Sequence, residues 1–182
     1  MSNIQNIKNI KDLEKKLSES ELAQYNKFHN QTRKKQYLVG HALIKDVCNI
    51  NVKIGENGVP KLDKGFVSIA HKDDLVLVAV SNNKIGLDIE NTDIDRDFFA
   101  QSELLGLLPT HNKYDFYKEF VRYESKLKFD DDAQQYTQYF YMMNNYIICI
   151  MGVDKDIQFI DYDKSFSDVS AIFVPLCTEQ NK

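Results

Sequence analysis

The sequence predicts an α+β protein made of two similar lobes, each a helix followed by a three-stranded antiparallel sheet. The prediction rests on three features. Helical apolar stripes precede trios of short apolar runs, such a trio occurs twice, and short polar turns separate its members. The lobes are assigned to residues 1–95 and 96–182 and are expected to be related by a pseudo-two-fold axis.

Composition is compatible with this architecture. The chain has 182 residues, 43% hydrophobic and 27% charged, with only seven Gly and three Pro. That mixture excludes a disordered tail, a collagen-like fibre or a simple coiled coil. With no Trp, 10 Tyr and 11 Phe must supply the large core side chains. The amino-terminal stretch is polar, no apolar run approaches a membrane span, and Cys48, Cys149 and Cys177 are isolated. A soluble cytoplasmic protein with no membrane partner is therefore expected, and a monomer, because a two-lobed chain can form its cleft within one copy.

The elements follow in order. Ser18 to Glu21 has the S-x-x-E form of a capping box, so a helix is predicted to about His29. Thr32 is taken as the cap of a second helix to about Asn49, with Tyr37, Leu38, His41, Leu43, Ile44, Val47 and Cys48 on its buried stripe. Gly55 to Pro60 reads as a turn-rich loop. Phe66–Ala70, Leu75–Val80 and Ile85–Ile89 then form the first meander. A connecting helix spans Arg96 to Gly106, and a longer one Lys113 to Phe129, with Phe116, Phe120, Tyr123 and Leu127 as its stripe. Tyr136–Met143, Tyr146–Met151, Asp156–Tyr162 and Ala171–Leu176 are the later strands, with Asn144-Asn145 as a hairpin turn.

Charge is divided along the chain. The net charge is −4, but Met1 to Lys64 carries 12 basic and 7 acidic residues, and the remainder 11 basic and 20 acidic. A phosphate-facing front and a cation-binding rear are suggested. The acidic rear disfavours nucleic acid as a partner. Arg33, Lys34 and Lys35 crowd the first turn of the second helix, against its dipole, which invites an anion.

Two clusters can carry chemistry. In Ile85-Gly86-Leu87-Asp88-Ile89-Glu90, strand alternation puts Asp88 and Glu90 on one face and Leu87 and Ile89 on the other. Carboxylates about 7 Å apart on a strand can share a hard cation, or simply face water. Glu124 and Lys128 share a helix face, either as a surface ion pair or as a third carboxylate beside a phosphate-binding lysine. His71 closes the first strand of the meander; His29, His41 and His111 show no partner pattern.

Taken together, these pieces resemble a known family. A basic helix is followed by the loop Gly58-Val59-Pro60, the strand end Ser68-Ile69-Ala70-His71, I-G-L-D-I-E, and F-V-R-Y-E-S-K-L-K from Phe120 to Lys128. This order resembles the 4′-phosphopantetheinyl transferases of the surfactin-synthetase-activating type, over roughly Phe28 to Phe129. The resemblance implies their two-lobed fold and a Mg²⁺-dependent transfer of phosphopantetheine from coenzyme A to a serine of an apo acyl or peptidyl carrier protein, releasing 3′,5′-ADP. It implies Asp88, Glu90 and Glu124 as metal ligands, Glu124 also as proton acceptor, Lys128 as a phosphate-binding catalytic group, and His71 at the coenzyme's phosphates. The family's loop lysine is Val59 here, its strand serine Ala70, its helix Trp and Lys are Phe120 and Tyr123, and its basic-helix Arg is Gln36. Arg33, Lys35 and Lys61 are therefore expected to supply the remaining contacts to coenzyme A. The alternative is a family-fold protein without catalysis that binds a nucleotide or a protein partner.

Overall fold

The computed structural model describes residues 2–4, 10–48, 51–55, 58–94, 97–107, 112–129, 136–152 and 179–180. The described chain is α+β, with small antiparallel sheets and five helices. Its elements are β1 (Ser2–Asn3), α1 (Ile10–Glu14), α2 (Glu19–Lys27), α3 (Gln31–Cys48), β2 (Val52–Ile54), β3 (Pro60–Leu62), β4 (Phe66–Lys72), β5 (Leu75–Ser81) and β6 (Ile85–Asn91). After these come α4 (Phe98–Leu105), α5 (Lys113–Phe129), β7 (Thr137–Met143), β8 (Tyr146–Gly152) and β9 (Glu179–Gln180). The strands expected at 156–162 and 171–176 lie outside the described residues. Among the described residues no helix is long and apolar enough to cross a membrane.

Turn chemistry sets the hairpins. β4 and β5 pair from Phe66 opposite Ser81 to Lys72 opposite Leu75, leaving Asp73-Asp74 as a two-residue turn. β7 and β8 close in the same way over Asn144-Asn145. Asp73 and Asn144 both take φ 50°, a left-handed conformation that short Asx side chains tolerate. The tight turn carries β4 two residues beyond the predicted Ala70, so His71 and Lys72 belong to the strand.

The first meander is corrected by the pairing. β6 does not add to β5; it pairs along its whole length with β8, Leu87 opposite Ile150 and Glu90 opposite Ile147. The sheets are therefore β1-β5-β4, β2-β3 and β6-β8-β7-β9. β4 and β6 lie side by side without a backbone ladder, joined where the Leu87 amide donates to Ser68 Oγ at 3.0 Å. β6 escapes the hairpin because both its faces have better partners. Leu87 and Ile89 join Ala70, Leu75, Leu77, Tyr141, Met143, Ile148 and Ile150 in the core between the sheets, while its other face receives α5.

The outer layers are helical. Val39 and Leu43 of α3 pack on Val76 and Ile4. Phe116, Tyr117 and Val121 of α5 pack on Phe140, Ile147 and Cys149. The expected α5 stripe is displaced: Phe116 is buried, but Leu127 is 57% exposed, and the inward line runs through Tyr117, Val121, Ser125 and Phe129. The close approach of Gly86 to the helix backbone at Ser125 and Phe129 selects that line. The α3 stripe holds at Tyr37, Leu38, His41, Leu43 and Ile44, whereas the side chains of Val47 and Cys48 lie outside the described residues. Its cap is Asn30 rather than Thr32, with the Asn30 side chain accepting from the Arg33 amide at 3.0 Å.

His41, which shows no partner pattern in the sequence, has one in the fold. Glu21 forms the capping box with Ser18 and is fully buried. Its carboxylate accepts from His41 Nδ1 at 2.7 Å and from Lys45 Nζ at 2.5 Å, clamping α2 to α3. Burial alone would raise its pKa, but the His41, Lys45 and Ser18 hydrogen bonds win and hold it at about 2, below the ordinary 4.5. Its stabilisation is thus present above pH 4.5 and lost as pH falls towards about 2. Glu21→Gln leaves His41 and Lys45 without their carboxylate and is expected to cost about 3 kcal/mol, read as a lower urea midpoint at pH 7.

Candidate active site

Positioning starts with Gly86. A Cβ there would stand 2.0 Å from the Ser125 carbonyl oxygen and 2.8 Å from the Phe129 amide nitrogen. Only a glycine lets the α5 backbone lie directly on β6. Ser125 is the complementary small residue on the helix, and its hydroxyl donates to the Cys149 carbonyl at 2.9 Å. With α5 seated at that point, Lys128, about one turn after Ser125, reaches Asp88 on the α5-facing side of β6.

The carboxylates are ion-paired rather than solvated. Asp88 is 8% and Glu90 9% exposed, so neither simply runs out into water. Lys128 Nζ donates to Asp88 Oδ1 at 2.7 Å and to the Leu87 carbonyl at 2.9 Å. The surface reading of Lys128 as a partner of Glu124 gives way to this contact across elements. Glu90 Oε2 lies 2.7 Å from Lys72 Nζ, a residue the sequence did not single out. The signal for Lys72 was its place beside His71 at a strand end, visible only once β4 was known to extend that far.

Electrostatics ties the set together. Burial pushes the Asp88 carboxyl up to about 6; Lys128 opposes the rise, and the charges of Glu90 and Glu124 add to it. Burial likewise lowers His71 to about 4, helped by the positive charges of Arg33, Lys128 and Lys72. At neutral pH His71 is therefore a neutral imidazole among cations, and Asp88 an anion paired with Lys128 and flanked by the charges of Glu90 and Glu124. Lys72 with Glu90 and Lys128 with Asp88 form direct pairs at the seam between β4 and β6, and Arg33 of α3 and Glu124 of α5 act on His71 and Asp88 through their charge.

Other predicted contacts lie elsewhere. Lys35 is on the opposite side of α3 from Arg33, lining a small apolar cleft with Ile4, Ile10, Leu38 and Val39. Lys61 is exposed on β3, its stem against Gly55, and is not among the charges acting on His71 or Asp88. Gln36, where the family carries Arg, is 7% exposed and donates to the Asp73 carbonyl at 2.8 Å. It fastens α3 to the β4–β5 turn. Cys149 is buried with its thiol pushed up to about 12 by desolvation, so it is packing and not a nucleophile.

For a metal, the donors are of the right kind. Asp88, Glu90 and Glu124 offer hard carboxylate oxygens, and the charges of Glu90 and Glu124 act on Asp88. Among the described residues no three His, Cys, Asp or Glu side chains already stand in metal-holding geometry; Lys72 and Lys128 hold the carboxylates instead. A scan of protein-family models and a search of curated proteins found no match to the chain.

Proposed function

We propose that the chain is a Mg²⁺-dependent 4′-phosphopantetheinyl transferase that moves phosphopantetheine from coenzyme A to a serine of an apo acyl or peptidyl carrier protein. The observation that carries this reading is the convergence of Asp88, Glu90 and Glu124 with Arg33, His71 and Lys128 from four separate elements. With it go the two-lobed family fold, a monomeric state and a cytoplasmic setting.

The chemistry asks for two opposite environments within one site. The carrier serine oxygen attacks the phosphorus bearing pantetheine, a P–O bond forms there, and the bond to 3′,5′-ADP breaks. Glu124 takes the serine proton, directly or through a water. Arg33 and Lys128 hold the diphosphate, and Lys128 stabilises charge on the departing phosphate. His71, neutral in the free protein, donates a hydrogen bond to a phosphate oxygen and becomes easier to protonate once that anion arrives. Asp88, Glu90 and Glu124 would hold Mg²⁺, which when bound would supply neutralisation of the diphosphate charge.

Incubation of the pure protein with Mg²⁺, coenzyme A and a broad panel of apo carrier proteins is expected to add phosphopantetheine to one serine and release 3′,5′-ADP, both read by mass spectrometry. A folded protein that modifies no carrier would overturn the reading. The second reading, a non-catalytic nucleotide-binding module, is favoured by the structural use of Gln36. Calorimetric binding of 3′,5′-ADP without transfer to any carrier would select it.

A further inference from the structure

The seam holds more positive charge than the motif residues account for. Lys72 reaches Glu90 Oε2 at 2.7 Å, and both side chains are largely withdrawn from solvent, 16% and 11% exposed. Next to it, Lys128 occupies Asp88 in the same manner. Both ammonium groups at the seam are thus paired with a carboxylate, Lys72 with Glu90 and Lys128 with Asp88. A dication arriving alone must displace an ammonium from a carboxylate, and an anion arriving alone meets cations that are already engaged. Each ligand therefore relieves the obstacle to the other.

We propose that Lys72 is an additional anion-binding residue of this site, parked on Glu90 and released to phosphate oxygens when a divalent cation takes that carboxylate. The proposal rests on the transferase reading for the identity of the cation and the anion. Three features support it. Lys72 stands at the end of β4 with its ammonium 2.7 Å from Glu90 Oε2, so an anion bound to a cation on that carboxylate lies within its reach. Its stem is anchored at the end of β4 by the Lys72–Leu75 pair and the tight Asp73-Asp74 turn, so only the side chain must move. The turn itself is held by Gln36 from α3 and by Asn91, whose Nδ2 donates to Asp73 Oδ2 at 2.8 Å. The loop position that carries lysine in the resembling family is an exposed valine, Val59, and Lys72 returns that charge from a different strand.

Calorimetry on the full chain tests this with Mn²⁺ and inorganic diphosphate as probes, separately and together. In the wild type each probe is expected to tighten the other about tenfold or more. Lys72→Met is expected to bind Mn²⁺ alone several-fold more tightly, because the competing ammonium is gone, and to bind diphosphate in the presence of Mn²⁺ about tenfold more weakly. Glu90→Gln frees the lysine without a metal, and is expected to bind diphosphate alone more tightly than the wild type. If both variants match the wild type within twofold while the wild type binds both probes, the pair is only structural and the transferase reading stands. If the wild type binds neither probe, that reading falls and this proposal with it. Should Lys72→Met not fold, Glu90→Gln decides alone: no gain in diphosphate affinity overturns the proposal.

Discussion

Asp88→Asn is expected to abolish transfer and to make the protein more stable at neutral pH. Asp88 ionises near 3.8 when free and about 6 in the fold, chiefly because it is desolvated. The native state thus prefers the neutral carboxyl, and the associated stability is complete below pH 3.8 and lost as pH rises through about 6. A shift of about two units at ~1.4 kcal/mol each makes the cost of the ionised form about 3 kcal/mol above that window. The side chain is 12% exposed, so little of this is screened away. Asparagine keeps the shape and removes the charge. Urea unfolding across pH should show wild type and variant nearly equal at pH 3.5, diverging to pH 6 and parallel beyond. Transfer should fall on the order of a thousandfold, the scale of losing a group that organises charge in the transition state. A variant that is less stable at pH 7, or that still modifies a carrier, contradicts the role given to Asp88.

Gly86→Ala is expected to be the most damaging small substitution in the chain. The added methyl would meet backbone on both sides, the Ser125 carbonyl and the Phe129 amide, and neither can rotate away as a side chain can. The helix must lift off β6, at a cost of about 3 kcal/mol. Lifting α5 also carries Lys128 away from Asp88, so activity per folded molecule should drop as well. The informative comparison is Ser125→Ala, which removes one hydroxyl donor to Cys149 and should cost about 1 kcal/mol with the site intact. Equal losses in the two variants, by thermal unfolding and by transfer, would mean that the helix-strand approach is not what places the lysine.

Much of this arrangement was legible where the physics is local. Alternation alone put Leu87 and Ile89 on one face of β6 and Asp88 and Glu90 on the other, as the core shows. The bounds of α5 follow from its periodicity, and the β7–β8 turn from Asn144-Asn145. What escaped was set by distant partners. The α5 stripe was drawn through large side chains, Phe120, Tyr123 and Leu127, whereas the contact line is fixed by two small ones, Gly86 and Ser125. β6 was joined to its neighbour in sequence, although its ladder partner is β8. Glu21 and His41 lie on different helices, and a polar pair across two helices leaves no periodic trace.

The exchange of β6 into the later sheet also orders events in time. The β4–β5 hairpin closes through Asp73-Asp74 from contacts between neighbours in the chain, which form quickly. The β6–β8 ladder must wait until β8 exists and has met β6, with Ile85 opposite Gly152 at its far end. During synthesis, Asp88 and Glu90 leave the ribosome well before α5 delivers Lys128. A nascent chain carries Asp88 and Glu90 before Lys128, the base that pairs with Asp88, has been made.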